Sequence, residues 1–104
     1  MSEGFAAIVT VKLKPEMVEQ YIAIATEVGD AMNKEKEFKH AWVHTLADDP
    51  TTIIVYEAWS CTFEYFMKEL WNKPYRGRFE AEIGNMAAVE RKIEILNYAI
   101  SYPG

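Results

Sequence analysis

The chain opens with strict alternation. Phe5, Ala7, Val9, Val11 and Leu13 share one parity within a run rich in Val, Ile and Thr, which predicts a strand over residues 5–13. The period then changes. Val18, Tyr21, Ile22, Ala25, Val28 and Met32 recur at spacings of three and four, with Glu19, Gln20, Glu27 and Asp30 off the stripe. This predicts an amphipathic helix begun at Pro15, where a missing N–H costs nothing, and ended by the charged run Lys34-Glu35-Lys36-Glu37. Gly29 inside it costs about 1 kcal/mol against Ala, and the expected reason is close packing on a sheet. Residues 38–47 and 52–59 form two further apolar runs around Asp48-Asp49-Pro50-Thr51, a turn by composition, so the pair is expected to be a hairpin. Helical spacing returns with Ser60 or Thr62 as cap and Phe63, Phe66, Met67 and Leu70 on one face. Asn72-Lys73-Pro74 interrupts it. A second helical piece then places Tyr75, Phe79, Ile83 and Met86 inward and the i,i+4 pairs Arg76–Glu80 and Arg78–Glu82 outward. A last strand is predicted over residues 89–100, where Ile93 and Ile95 alternate with Lys92 and Glu94.

The order β-α-β-β-α-β predicts an α+β, ferredoxin-like domain with helices on one face of an antiparallel sheet, spanning residues 1–104 as one unit. The opposite sheet face still carries apolar side chains and needs a cover. A second copy of the same sheet is the simplest one, so a homodimer through sheet-to-sheet packing is expected.

Composition narrows the function. Half of the 104 residues are hydrophobic and 13% aromatic, rich for a small monomer, which agrees with apolar surface buried in an oligomer. The net charge of −5, with Arg76, Arg78, Arg91 and Lys92 interleaved among acids, argues against nucleic acid. No apolar run approaches the ~18 residues of a membrane span. The start Met1-Ser2-Glu3-Gly4 lacks a positive leader, and the lone Cys61 permits no intrachain disulfide, so a cytoplasmic protein is expected.

Candidate chemistry gathers at Tyr56-Glu57-Ala58-Trp59-Ser60. Glu57 and Trp59 point to one face of a strand, and a buried Glu needs a partner. If residues 48–51 form a four-residue loop, Leu46 faces Ile53, Trp42 faces Glu57 and His40 faces Trp59, which would gather His40, Trp42, Glu57 and Trp59 on one face. His40 and His44 lie roughly 13 Å apart along a strand and cannot share an ion, so no metal site is expected. No glycine-rich phosphate loop is present.

The segments Val11-Lys12-Leu13-Lys14-Pro15-Glu16, Asp49-Pro50, Tyr56-Glu57-Ala58-Trp59-Ser60 and Glu69-Leu70-Trp71-Asn72-Lys73-Pro74-Tyr75-Arg76, followed by Phe79, occur in an order and spacing that resembles the antibiotic biosynthesis monooxygenase domain of the dimeric α+β barrel superfamily. The resemblance implies two ferredoxin-like protomers packed sheet to sheet, with a pocket between the sheet and helices of each. It implies oxidation of phenols, quinols or anthrones by molecular oxygen without metal, flavin or haem. It also puts Trp59 at a recurrent position at the end of the third strand, Tyr65 at the place of a Tyr early in the next helix, and Arg76 or Arg78 at that of a following Arg. Two departures are visible. A His common in the second helix is Lys68-Glu69 here, and a Gly that usually opens the second strand is Glu37. With no Asn in the first strand and no His in that helix, haem degradation is disfavoured.

The expectation is therefore a cofactor-independent monooxygenase acting on a small aromatic substrate. Trp59 serves as ring wall and donor, Tyr65 as phenol donor, Arg76 as anion stabiliser and Glu57 or Glu69 as base, with Trp42, His44, Phe66, Trp71 and Phe79 lining the substrate site. A non-catalytic small-molecule-binding or stress-response dimer and a small-molecule isomerase stay open on the same scaffold.

Overall fold

A computed structural model describes residues 4–100 and residue 102; Met1, Ser2 and Glu3, on which the leader reading rests, lie outside it. Its elements are β1 (Phe5–Lys12), α1 (Val18–Met32), β2 (Phe38–Leu46), β3 (Asp49–Trp59), α2 (Phe63–Tyr65), a π-helical turn (Phe66–Leu70), α3 (Pro74–Met86) and β4 (Lys92–Asn97). The four strands form one antiparallel sheet in the order β2-β3-β1-β4. The fold is the expected ferredoxin-like α+β arrangement.

Local chemistry explains the breaks. Pro15 starts a short 3₁₀ turn (Pro15–Met17) that runs straight into α1. Thr62, rather than Ser60, caps α2: its hydroxyl accepts from Tyr65 N–H at 3.1 Å. Ser60 instead donates to the Glu37 carbonyl at 3.1 Å, tying the end of β3 to the start of β2. The Trp71 N–H reaches back to the Phe66 carbonyl at 2.9 Å, closing a wide turn that leaves both Phe66 and Leu70 buried.

The hairpin differs from expectation in register. β3 begins at Asp49, and Leu46 pairs with Asp49, so the chain reverses at Ala47-Asp48. The cause is the Asp49 side chain. It accepts from Thr51 N–H at 3.1 Å, from the Thr51 and Thr52 hydroxyls at 2.7 Å each, and from the Lys12 ammonium of β1. These bonds fold the next residues into a bulge and pull the segment into the sheet. Ala41 then faces Glu57, Trp42 faces Tyr56 and His40 faces Ala58, while a second bulge at Lys39 sets Phe38 opposite Trp59. Glu57 and Trp59 therefore lie on the helix-covered face. His40 and Trp42 lie on the opposite face, where their rings stack 4.2 Å apart. The expected grouping of all four on one face does not form.

Two core clusters lie under the helices. One holds Val11, Leu13, Tyr21, Ile24, Ile53, Ile83 and Met86; the other holds Phe5, Ala7, Met32, Trp59, Phe66 and Leu70. Each large buried side chain contributes about 1.5–3 kcal/mol. Gly29 is not a close-packing device: a Cβ there would meet nothing within 4 Å. Arg76, expected outward, is 7% exposed. Its expected partner Glu80 pairs instead with Arg91, whereas Arg78–Glu82 forms as expected at 2.8 Å.

Candidate functional site

Between the two core clusters the helix-covered side of the sheet is not filled. Small residues leave the space: Ala7 of β1, Ala41 of β2, and Ala25 and Gly29 of α1 all border a cavity of about 740 Å³. That volume lies within the range of small-molecule sites. Its floor is the inward face of all four strands, including Val9, Val43, Val55, Glu57, Ile93 and Ile95. One wall is α1 with Tyr21, Val28 and Met32; the other is Phe66, Met67, Trp71, Arg76 and Phe79.

The polar groups of this apolar space are few. The Trp59 indole, fully buried, donates to Glu57 Oε1 at 3.1 Å. The Arg76 guanidinium stands 4.0 Å from the same oxygen, an ion pair without a direct hydrogen bond. Arg76 is also enclosed by aromatic faces, 4.9 Å from the Phe66 ring centroid, 5.2 Å from Trp71 and 5.9 Å from Tyr75. Its Nη2 rests 3.4 Å from the Met32 sulfur, and its Nε is buried with no hydrogen-bond partner among the described residues. A second pair, Arg91–Glu80, borders the cavity elsewhere. Tyr21 is 2% exposed, and burial pushes its phenol up to about 12, with the Arg91 charge pulling it down and the Glu57 charge pushing it up. At neutral pH it is a hydrogen-bond donor.

Of the residues expected from sequence, Glu57, Arg76, Phe66, Trp71 and Phe79 border the cavity together. Trp59 lies behind Glu57, packed on Phe38 and Phe66 at ring separations of 5.2 and 5.0 Å. Tyr65 and Glu69 lie outside it, beside a surface groove with Lys34 and Lys73; the Tyr65 hydroxyl donates to Glu37 at 2.9 Å, which raises its pKa. Trp42 and His44 sit exposed on the other sheet face. The sequence reading placed Tyr21 only in the apolar stripe of α1 and Arg91 only among surface charges. Among the described residues no cluster of His, Cys, Asp and Glu could hold a metal ion. Among the described residues no helix is long and apolar enough to cross a membrane.

The arrangement is a largely apolar, aromatic-walled chamber. At its border stand two carboxylate–guanidinium pairs, Glu57–Arg76 and Glu80–Arg91, and the Tyr21 phenol, a set able to hold an electron-rich ring, take a proton and stabilise the resulting anion.

No protein-family model and no curated protein matches the sequence. Solved structures do. A protein from Nitrosomonas europaea described as an antibiotic biosynthesis monooxygenase superposes with a TM-score of 0.83 at 20% identity, over 99% of this chain and 95% of its own. Rv0793 from Mycobacterium tuberculosis gives 0.85 at 13% identity, over 95% and 98%. A variant of SnoaB, a cofactor-independent oxygenase from Streptomyces nogalater, gives 0.82 at 7% identity, over 99% and 100%. The chain thus has the ferredoxin-like fold of the antibiotic biosynthesis monooxygenase domain.

Proposed function

We propose that this protein is a cofactor-independent oxygenase that oxidises an aromatic phenol, quinol or anthrone-like small molecule with O2. The observation that carries the reading is the Glu57 carboxylate, set by the Trp59 indole and faced by the aromatic-caged Arg76 at the border of an apolar cavity. An oxygenase without a cofactor draws its electrons from the substrate, so it needs the phenolate or enolate. Glu57 takes the proton. Both of its described contacts fall on Oε1, which leaves Oε2 to accept the proton. Arg76 stabilises the anion, and the hydrophobic walls exclude water. For an anthrone-type carbon the balance is CH2 + O2 giving C=O + H2O, one oxygen atom entering the product. Tyr65 and Glu69, outside the cavity, take no part in this scheme. The likeness to SnoaB, itself an oxygenase, agrees with it.

The working unit in this reading is a cytoplasmic homodimer. The sheet face turned away from the helices carries Ile8, Ile54, Tyr56 and Leu96 half-buried around Trp42, which is 54% exposed. A second copy of the same face covers them.

Oxygen uptake by the metal-stripped protein with quinols, anthrones and catechols tests the reaction. Uptake above autoxidation is expected, reduced ~10²–10³-fold in Arg76→Ala, the usual effect of deleting one charge-stabilising donor. Uptake indifferent to Arg76→Ala and Glu57→Gln, or none across the panel, refutes the assignment.

A further inference from the structure

The cavity's polar groups do not all satisfy one another. Glu57 is engaged by Trp59 and Arg76, and Arg91 by Glu80. The Tyr21 ring is buried at the cavity wall and held edge-to-face on Phe79 at 5.8 Å, and its hydroxyl has no hydrogen-bond partner among the described residues, although it is not one of the fully buried polar atoms. It feels the charges of both Glu57 and Arg91 without a hydrogen bond to either. Such a group usually finds a partner. Two side-chain nitrogens of residues bordering the same cavity, Arg76 Nε and His40 Nε2, are buried without a partner among the described residues, the Arg76 side chain more than nine-tenths buried. The Tyr21 hydroxyl and Arg76 Nε are both donors. The complement of a donor pair in an aromatic-walled chamber is a ring system carrying acceptor oxygens, and a carbonyl accepts without needing to give a proton back.

We propose that Tyr21 is a ligand-binding residue of this cavity, donating its phenolic hydrogen to a carbonyl or phenolate oxygen of a fused-ring aromatic molecule. The inference rests on the reading of the cavity as the substrate site. It adds a preference for quinone-type, acceptor-bearing rings and a residue on α1 that selects them. Because its proton is retained through the neutral and mildly alkaline range, the donor is present wherever the protein works.

The test is binding, which needs no turnover. Anthraquinone-2-sulfonate and anthracene-2-sulfonate differ only in the two ring carbonyls. Wild-type protein, followed by quenching of its tryptophan fluorescence, is expected to bind the quinone more tightly. Tyr21→Phe is expected to weaken the quinone ~5–10-fold, the worth of one neutral hydrogen bond, and to leave the anthracene unchanged. In difference infrared spectra the bound quinone's carbonyl stretch should fall below its free value in wild type and return toward it in Tyr21→Phe. Equal weakening of both probes means Tyr21 only packs, and overturns the proposal. So does an unshifted carbonyl stretch, an unchanged quinone affinity, or failure of wild type to bind either probe. A carbonyl-dependent affinity with no oxygen uptake would instead sink the oxygenase reading and leave this one standing.

Discussion

Replacing Trp59 with Phe separates the two things the indole does. It fills the core between Phe38 and Phe66, and it donates to Glu57 at 3.1 Å. Phe keeps most of the first and none of the second. A hydrogen bond to a charged acceptor is worth about 1.5–3 kcal/mol. The smaller ring leaves a void that costs on the order of 1 kcal/mol. Trp59→Phe should therefore destabilise by about 2.5–4 kcal/mol, a large share of the ~5–15 kcal/mol available to a domain. Urea unfolding should show a lower midpoint with the slope unchanged. The same change in a Glu57→Leu background isolates the bond. There the indole donor is already unpaired, so its loss should cost about 1 kcal/mol or less, and the coupling between the two sites should be at least ~1.5 kcal/mol. Equal costs in the two backgrounds would show that Trp59 acts by packing alone, and the argument that it sets Glu57 would fail.

Other expectations follow from the same geometry. Gly29→Ala removes a helix-weakening glycine where a Cβ meets nothing, so it should stabilise by about 0.5–1 kcal/mol and raise Tm by a few degrees; a lower Tm would mean the α1 face is closed there. Asp49 is held well below the usual carboxylate range, first by Lys12 and then by Thr51 and Thr52. Its folded pKa is depressed, so its contribution is complete above the ordinary value of 3.8 and is lost as pH falls below that. Asp49→Asn should accordingly lower stability at neutral pH and flatten the loss of stability on acidification below about pH 4; parallel acid titrations of the two proteins would refute the role of the turn. Trp42→Glu, on the uncovered sheet face, should convert a dimer to monomer in sedimentation without changing the far-UV spectrum, and an unaltered sedimentation coefficient would count against sheet-to-sheet pairing.

The fold was legible because its two periods are strong and change cleanly. Alternation through Phe5, Val9 and Val11, then three-four spacing through Tyr21, Ala25 and Val28, leave little choice of element, and the Thr62 cap and Pro74 mark where helices start. Register was not legible. Asp49-Pro50 has turn composition, yet the Asp49 carboxylate gathers two threonines and the Lys12 ammonium of β1, a partner 37 residues away. That bond makes the pair the first residues of β3. One residue of slip then decides which side chains share a face.

The site was half legible for a related reason. Local rules see helix surfaces and not what lies opposite them. The i,i+4 spacing of Arg76 and Glu80 describes an exposed pair, but Arg91 captures Glu80 from the segment between α3 and β4, and Arg76 turns inward to Glu57 and a cage of Phe66, Trp71 and Tyr75. Tyr21 sat within an apolar stripe where its ring belongs and its hydroxyl drew no notice. A signal was present all the same. Ala7 and Ala41 stand at inward positions of strands, where branched and aromatic residues are preferred, and Ala25 and Gly29 stand across from them on the inner face of α1. Small residues facing one another from two layers leave a gap between those layers. In a chain this short an unfilled gap costs stability, so it persists where something occupies it. In the proposed reading, two donors at its border, Arg76 Nε and the Tyr21 hydroxyl, meet oxygen acceptors that the occupant brings.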